Sequence, residues 1–235
     1  MIARLEIKLC GQTRPGEAAA GAEAGADAVG VVFHPASPRH LTPAQAREIV
    51  RALPAGFPVV GVFVDESADS VALTALAAGL SIVQLHGDEP LETVQTLLDR
   101  GFHVVKALKT LGPALLQQAA QLPPACALLV EAGKGPLPGG NAAGWDWSAS
   151  RLLGAARPFA LAGGLNPGNI AQAILAARPS AVDLSSGVED SPGRKNLEKA
   201  RLLVENVRRI CITWPTSPVF GGPRPKGRPP CPDNR

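Results

Sequence analysis

Eight short apolar runs recur along the chain, starting near Leu5, Ala28, Val59, Ile82, His103, Ala127, Phe159 and Ala181. Successive starts lie 21 to 32 residues apart, room for a loop, a helix and a second loop. Runs this short, bounded by turn residues, read as buried strands. Helical patterns fill the intervals: Pro15 to Gly25, Pro43 to Leu53 behind the N-cap candidate Thr42, Asp69 to Ala78 before Gly79, and Pro90 to Arg100 before Gly101. Pro113 to Gln121, Ser148 to Ala156, Pro167 to Ala177 and Asn196 to Ile210 complete the set. Proline early and glycine at the end are the punctuation helices prefer. Strand-then-helix order throughout predicts a parallel sheet. Eight near-equal units, with no GxGxxG after the first strand, favour a single-domain α/β (β/α)8 TIM barrel over an open doubly wound sheet.

Barrels of this kind carry their chemistry at the C-terminal ends of the strands. Here those ends hold Cys10, Arg39 a few residues beyond the second run, Asp65, His86, Lys106, Glu131, the pair Gly163 and Gly164, and Ser185-Ser186-Gly187. The last two runs are the most telling. Glycines expose backbone N–H groups, the seventh run leads straight into a helix, and the loops after strands 7 and 8 are the usual phosphate site of the fold. Two such turns on adjacent strands favour phosphate binding over tight turns alone. Cys10 lies where the first strand emerges; a thiolate there can accept a proton, although taken alone a buried cysteine more often packs. Glu131 reads as a general acid or a solvated loop residue, and Arg39 as a two-pronged carboxylate clamp or a solvated loop arginine. His86 is on spacing alone either a pocket residue or a satisfied structural histidine, and Asp183 either faces the site or pairs structurally. The glycine-rich stretch from Gly133 to Gly144 reads as a loop over the site or an ordinary connection.

The length of 235 residues suits one barrel. Apolar residues form 46% of it and aromatics only 4%, so small branched side chains must fill the core. No apolar run approaches the ~18 residues of a membrane span, and the charged start does not read as a signal peptide, so the expected setting is cytoplasmic. Cys10, Cys126, Cys211 and Cys231 show no metal-ligand spacing, and disulfide pairing is not expected in that setting. Residues 211–235 hold seven prolines and carry the whole net charge of +3, which leaves 1–210 neutral. This divides the chain into a catalytic barrel over 1–210 and a disordered, basic, Pro-rich tail over 211–235 that adds nothing to the core. No basic face points to nucleic acid.

With those residues placed, the chain resembles the phosphoribosylanthranilate isomerase family of tryptophan biosynthesis. The matching segments are KLCG (8–11), GVVFHPASPR (30–39), GVFVDE (61–66), VQLHGDE (83–89), VVKAL (104–108), PGGNAAGWDW (138–147), LAGGLNP (161–167) and VDLSSGVE (182–189), followed by PGRK (192–195). They are collinear and cover about residues 5–210. The resemblance implies the barrel already inferred and an aldose–ketose isomerase, an intramolecular oxidoreductase of aromatic amino-acid biosynthesis. Its reaction is the Amadori rearrangement of N-(5-phosphoribosyl)anthranilate to 1-(2-carboxyphenylamino)-1-deoxyribulose 5-phosphate, without metal or cofactor. By resemblance Cys10 is the base, Arg39 binds the anthranilate carboxylate, Gly163, Gly164, Ser185, Ser186 and Gly187 hold the phosphate, and His86 lines the pocket. The partner is a small phosphorylated molecule, with no nucleic acid or membrane, and the protein is a monomer or homodimer. In one place the chain departs from the family, which has Asp as general acid where Glu131 stands. The alternative function is therefore a non-catalytic or weakly active phosphate-ligand-binding barrel. Another sugar-phosphate isomerase or a synthase of the same pathway would need a second acid in place of Cys10, or an early catalytic lysine, and KLCG offers neither arrangement.

Overall fold

The computed structural model describes residues 4–131 and 145–221. Eight parallel strands form a closed ring: β1 (Glu6–Leu9), β2 (Ala28–Val32), β3 (Val59–Phe63), β4 (Ile82–Leu85), β5 (His103–Leu108), β6 (Ala127–Val130), β7 (Phe159–Leu161) and β8 (Ala181–Leu184). β8 returns to β1, with Glu6 opposite Ala181 and Leu9 opposite Leu184, so the ring has no free edge. Every strand but β1 begins where its apolar run begins; β1 starts one residue later.

The helices are α1 (Pro15–Glu23), α2 (Pro43–Arg51), α3 (Ala68–Ala78), α4 (Leu91–Asp99), α5 (Pro113–Gln121), α6 (Arg151–Ala156), α7 (Ile170–Ala177) and α8 (Leu197–Arg209). Thr42 caps α2 in a full capping box with Gln45, and Gly79 ends α3 in a left-handed conformation (φ 78°). The helix expected from Pro167 begins later, at Ile170. The Asn166 side chain accepts from Gly168 N and the Asn169 side chain from Asn166 N, a local turn that displaces the first helical turn. A 3-10 turn over Trp147–Ser150 precedes α6 and is capped by Asp146.

The period of two along each strand sorts its side chains. Ile7, Leu9, Val29, Val31, Val83 and Val104 face outward into the layer under the helices. Ala28, Val60, Ile82, Val105, Leu129, Ala160 and Ala181 face the barrel axis. Three of these axial residues are alanines, which are too small to fill the axis by themselves. Val219 and Phe220 join the same axial cluster, each only 1% exposed.

The C-terminal segment therefore departs from expectation over 211–221. It runs to the N-terminal end of the barrel and closes it. Trp214 Nε1 donates to Pro179 O at 2.9 Å, and the Arg178 guanidinium lies 5.9 Å from its ring centroid. The Glu6 carboxylate accepts from Val219 N and Phe220 N at 2.6 and 3.0 Å, while His103 Nε2 meets Val219 O at 2.7 Å. Burial pushes the Glu6 carboxyl above its ordinary range, against the pull of those two backbone hydrogen bonds. The proline content hid this role, because two apolar side chains without periodicity suffice as a plug. Cys211 is disulfide-bonded, contrary to expectation, whereas Cys10 and Cys126 are free. Residues 222–235 lie outside the described residues.

Phe220→Ala should lower the unfolding free energy by about 3–5 kcal/mol, the usual cost of emptying a buried phenylalanine site. Urea denaturation measures it, and an unchanged midpoint would show that the segment does not pack.

Candidate active site

Beyond the C-terminal ends of the strands lies a cavity of about 760 Å³, open to solvent. Cys10, Arg39, His86, Glu131, Gly163, Gly164, Ser185, Ser186 and Gly187 all line it. The strand-end residues Asp65 and Lys106 do not. Asp65 accepts from Asp88 N, and Lys106 pairs with the buried Glu89 at 2.8 Å, which in turn accepts from Asp65 N and Gly87 N. That cluster ties the ends of β3, β4 and β5 together behind the cavity. The stretch from Gly133 to Gly144 lies outside the described residues.

Cys10 is one step beyond β1 on the inward side. A Cβ on Gly30 of β2 would lie 2.7 Å from Cys10 Sγ and 3.0 Å from Lys8 Cε, so the bare glycine makes room for both side chains. Lys8 is wholly buried on the axis. Its ammonium donates to both oxygens of Asp183 at 2.9 and 3.0 Å and to Gln84 Oε1 at 3.0 Å. Burial, the largest single influence, pulls the lysine pKa down, but Asp183 and Cys10 together outweigh it and hold the ammonium charged. Burial pushes the Cys10 thiol above its ordinary value, with the charges of Lys8 and Lys195 opposing. Asp183 thus pairs with Lys8 and also lines the cavity, so both readings of it hold.

Glu131 follows β6, three places round the ring from β1. Its Oε2 lies 3.0 Å from His86 Nε2, an ion-pair separation without the alignment of a hydrogen bond. Gln84 Nε2 meets His86 Nδ1 at 2.8 Å. A Cβ on Gly163 (φ 89°) would lie 2.8 Å from Trp145 Nε1 and 3.2 Å from Glu131 Cγ, so the glutamate stem rests on bare backbone. Trp145 Nε1 donates to Ala162 O at 3.1 Å, bracing the same turn.

The Arg39 guanidinium crosses the end of β1 over Gly11, where a Cβ would lie 2.4 Å from Arg39 Cδ. Its Nε and Nη2 meet Glu189 at 2.9 and 2.6 Å. Glu189 opens a small ribbon, β9 (Glu189–Ser191) with β10 (Arg194–Lys195), and Lys195 Nζ joins it at 2.7 Å while also donating to Ser185 O. Burial works against ionisation of Glu189, but the Arg39 hydrogen bond and the Lys195 charge outweigh it and hold its carboxyl below the ordinary range. Ser185 Oγ is buried and has no hydrogen-bond partner among the described residues. Sequence reasoning gave no role to Lys8, Gln84, Gly30, Glu189 or Lys195. The period of two that turned Cys10 inward also turns Lys8 inward, and this signal was available.

The family model for N-(5'-phosphoribosyl)anthranilate (PRA) isomerase matches residues 7–206. The chain belongs to this family. An N-(5'-phosphoribosyl)anthranilate isomerase of Desulfatibacillum aliphaticivorans is 43% identical over 220 residues, covering 92% of this chain and 99% of that one. The counterpart from Rhodospirillum centenum is 43% identical over 198 residues, 82% and 92% of the two chains. The crystal structure of phosphoribosyl anthranilate isomerase from Thermotoga maritima superposes with a TM-score of 0.80 at 35% identity, covering 88% of this chain and all of that one. A further isomerase structure, in complex with reduced 1-(o-carboxyphenylamino)-1-deoxyribulose 5-phosphate, has a TM-score of 0.77 at 35% identity and the same coverage.

Lys8→Met should cost about 3–5 kcal/mol, because it strands the Asp183 charge in the barrel. The double variant Lys8→Met/Asp183→Leu should recover much of that in chemical denaturation; no recovery would show that the pair is not the source of the loss. Glu89 is held below its ordinary range as Glu189 is: its own burial works against ionisation, and Lys106 outweighs it. The stability from both carboxylates is therefore full above the ordinary glutamate value of 4.5 and drains away as pH falls below it. Glu189→Gln should flatten the loss of stability measured between pH 5 and pH 3; parallel curves would exclude Glu189 as a contributor.

Proposed function

We propose that the cavity performs the Amadori rearrangement of N-(5-phosphoribosyl)anthranilate to 1-(2-carboxyphenylamino)-1-deoxyribulose 5-phosphate, with residues 1–210 as the catalytic barrel. The observation that carries this reading is one pocket with Cys10 and Glu131 at the ends of strands three places apart and the Gly163-Gly164 and Ser185-Ser186-Gly187 turns between them. An acid and a base acting on one sugar must reach it from different directions.

Glu131 is the general acid. It protonates the furanose oxygen, the C1–O bond breaks, and the anilino nitrogen's lone pair forms the C1–N iminium. Cys10, as thiolate, then takes the C2 proton; the C2–H electrons form the C1–C2 double bond and neutralise the nitrogen. The resulting enolamine tautomerises to the ketone. His86, against the Glu131 carboxylate, lines the pocket beside the reacting sugar.

The backbone N–H groups around Gly163, Gly164, Ser186 and Gly187, with the Ser185 hydroxyl, suit the phosphate. The unpartnered Ser185 Oγ supports this assignment. Arg39 suits the anthranilate carboxylate. Glu189 takes its Nε–Nη2 edge, and a guanidinium has five N–H donors, so the Nη1 side can meet a second carboxylate. Glu189 then fixes the arginine's orientation before substrate arrives.

The family membership and the relatives' names favour this activity over a silent ligand-binding barrel. The longer acid has a physical accommodation as well, since the Glu131 stem occupies the space over Gly163. The reading places the reaction in the cytoplasm, on a small phosphorylated molecule, in a monomer or homodimer that engages neither nucleic acid nor lipid. No helix among the described residues is long and apolar enough to cross a membrane. A related structure shows monomers generated from the dimeric Thermotoga maritima enzyme.

Steady-state assay with freshly generated phosphoribosylanthranilate tests the assignment. Cys10→Ala should lose at least about a thousandfold in kcat, in the range of a lost proton-transfer group, while still binding a reduced product analogue. Glu131→Asp should retain turnover, lower by about tenfold to a hundredfold because a displacement near 1 Å is costly when geometry is tight. Full activity of Cys10→Ala would remove the base assignment.

A further inference from the structure

The C-terminal plug sits beneath the residues that flank the thiol, and this contact lies beyond the 7–206 span of the family match. Phe220 enters the barrel from below, and the Lys8 ammonium stands 5.5 Å from its ring centroid. The ammonium is held from three sides by Asp183 on β8, Gln84 on β4 and this ring. Above it, the Lys8 stem and the Cys10 thiol share the space over Gly30.

We propose that Phe220 is a positioning residue that acts through Lys8 on the Cys10 thiol. The ring does two things. Its face attracts the ammonium, a contact that is effective within about 6 Å of a centroid. It also excludes water from the open end of the barrel. In a dry environment the thiolate meets two opposed influences, the burial that disfavours it and the Lys8 charge that favours it, and burial is the larger. With the ring gone, water entering from below screens that charge and loosens the ammonium, but it relieves the larger burial cost as well, so the thiol pKa moves down. The groups that face the thiol are Lys8 from its own strand, Asp183 from β8, Lys195 from the ribbon and Arg39 from the loop after β2, with the apolar Val32 and Val62 on the remaining side. Among them only Lys8 touches the plug. Glu6 and His103 hold the plug in place by its backbone, so they bear on the thiol only through it.

The catalytic meaning of this coupling rests on Cys10 being the base, so the test reads the thiol and the turnover separately. Alkylation of Cys10 by iodoacetamide, followed by mass spectrometry of its peptide across pH 6 to 10, needs no substrate. In Phe220→Ala the profile should move to lower pH, with alkylation at pH 7.5 about three- to tenfold faster. Phe220→Leu keeps apolar bulk without a ring and tests the idea where the alanine variant fails to fold; it should speed alkylation about twofold. A melting temperature that falls while either variant's profile superimposes on the parent's makes Phe220 merely structural and overturns the proposal. In the second arm, the pH dependence of kcat/KM should shift with the thiol. If the thiol moves and kcat/KM does not, the base assignment fails, and with it the catalytic role of Phe220. If kcat/KM moves with the thiol, both stand.

Discussion

One ammonium in the middle of the barrel sets the terms for the rest. Lys8 is a bare donor with no acceptor and no access to water, so its three hydrogens must find oxygen inside the ring. Asp183 and Gln84 supply it from β8 and β4, on separate sides of the ring. The demand then propagates. Gln84 must turn its carbonyl to the lysine, so its amide group faces His86. A donor at Nδ1 makes that nitrogen an acceptor and turns Nε2 toward Glu131. A run of single-sense hydrogen bonds thus leads from below the thiol as far as His86, beside the acid. Its direction is fixed because lysine cannot accept.

Close approach is the second constraint, and glycine meets it at the points where function concentrates. Gly30 lets Cys10 and Lys8 stack over β2, and Gly163 lets Glu131 and Trp145 fold across the end of β7. Both positions would be occupied by a Cβ in any other residue, and the side chains displaced would be the ones that carry the chemistry. The Glu131 departure fits this geometry. One extra methylene needs somewhere to lie, and the bare backbone of the seventh turn provides it. The cost is a longer lever, with more torsional freedom between the backbone and the proton it delivers. The adjacent His86 and Trp145 confine that freedom.

The fold was legible because its signal is repeated: eight apolar runs gave seven strand starts to the residue and the eighth within one. The mouth was legible for a similar reason, since strand ends converge whatever the details of packing. Contacts that depend on a single pair of side chains were not. Arg39 read as a carboxylate clamp or a solvated loop arginine because nothing local announces that Glu189, 150 positions later, will hold it. Lys8 drew no reading of its own, because a lysine buried on a barrel axis is rare. The plug was illegible for the opposite reason. Its two anchoring residues sit in a stretch whose composition argues for no structure at all. The axial alanines at 28, 160 and 181 were the available clue, since an axis lined by them leaves volume that another part of the chain must fill.

Barrels of this kind usually separate their ends, with stability below and chemistry above. Here the axis is too polar for that separation. A hydrophobic axis would insulate the two faces, because dispersion contacts carry no direction and little reach. An axis built on a buried charge cannot, since the free energy of that charge depends on the dielectric at both ends. Water admitted from beneath relaxes the ammonium's hold on Asp183, Gln84 and the thiol together. Sealing the lower end with an aromatic ring therefore fixes the electrostatics of the upper one. The same reasoning explains why the plug is held by the polar pair Glu6 and His103 at its backbone. A purely apolar plug would be placed by volume alone, whereas hydrogen bonds to the backbone set the ring's height and tilt against the cation it must face.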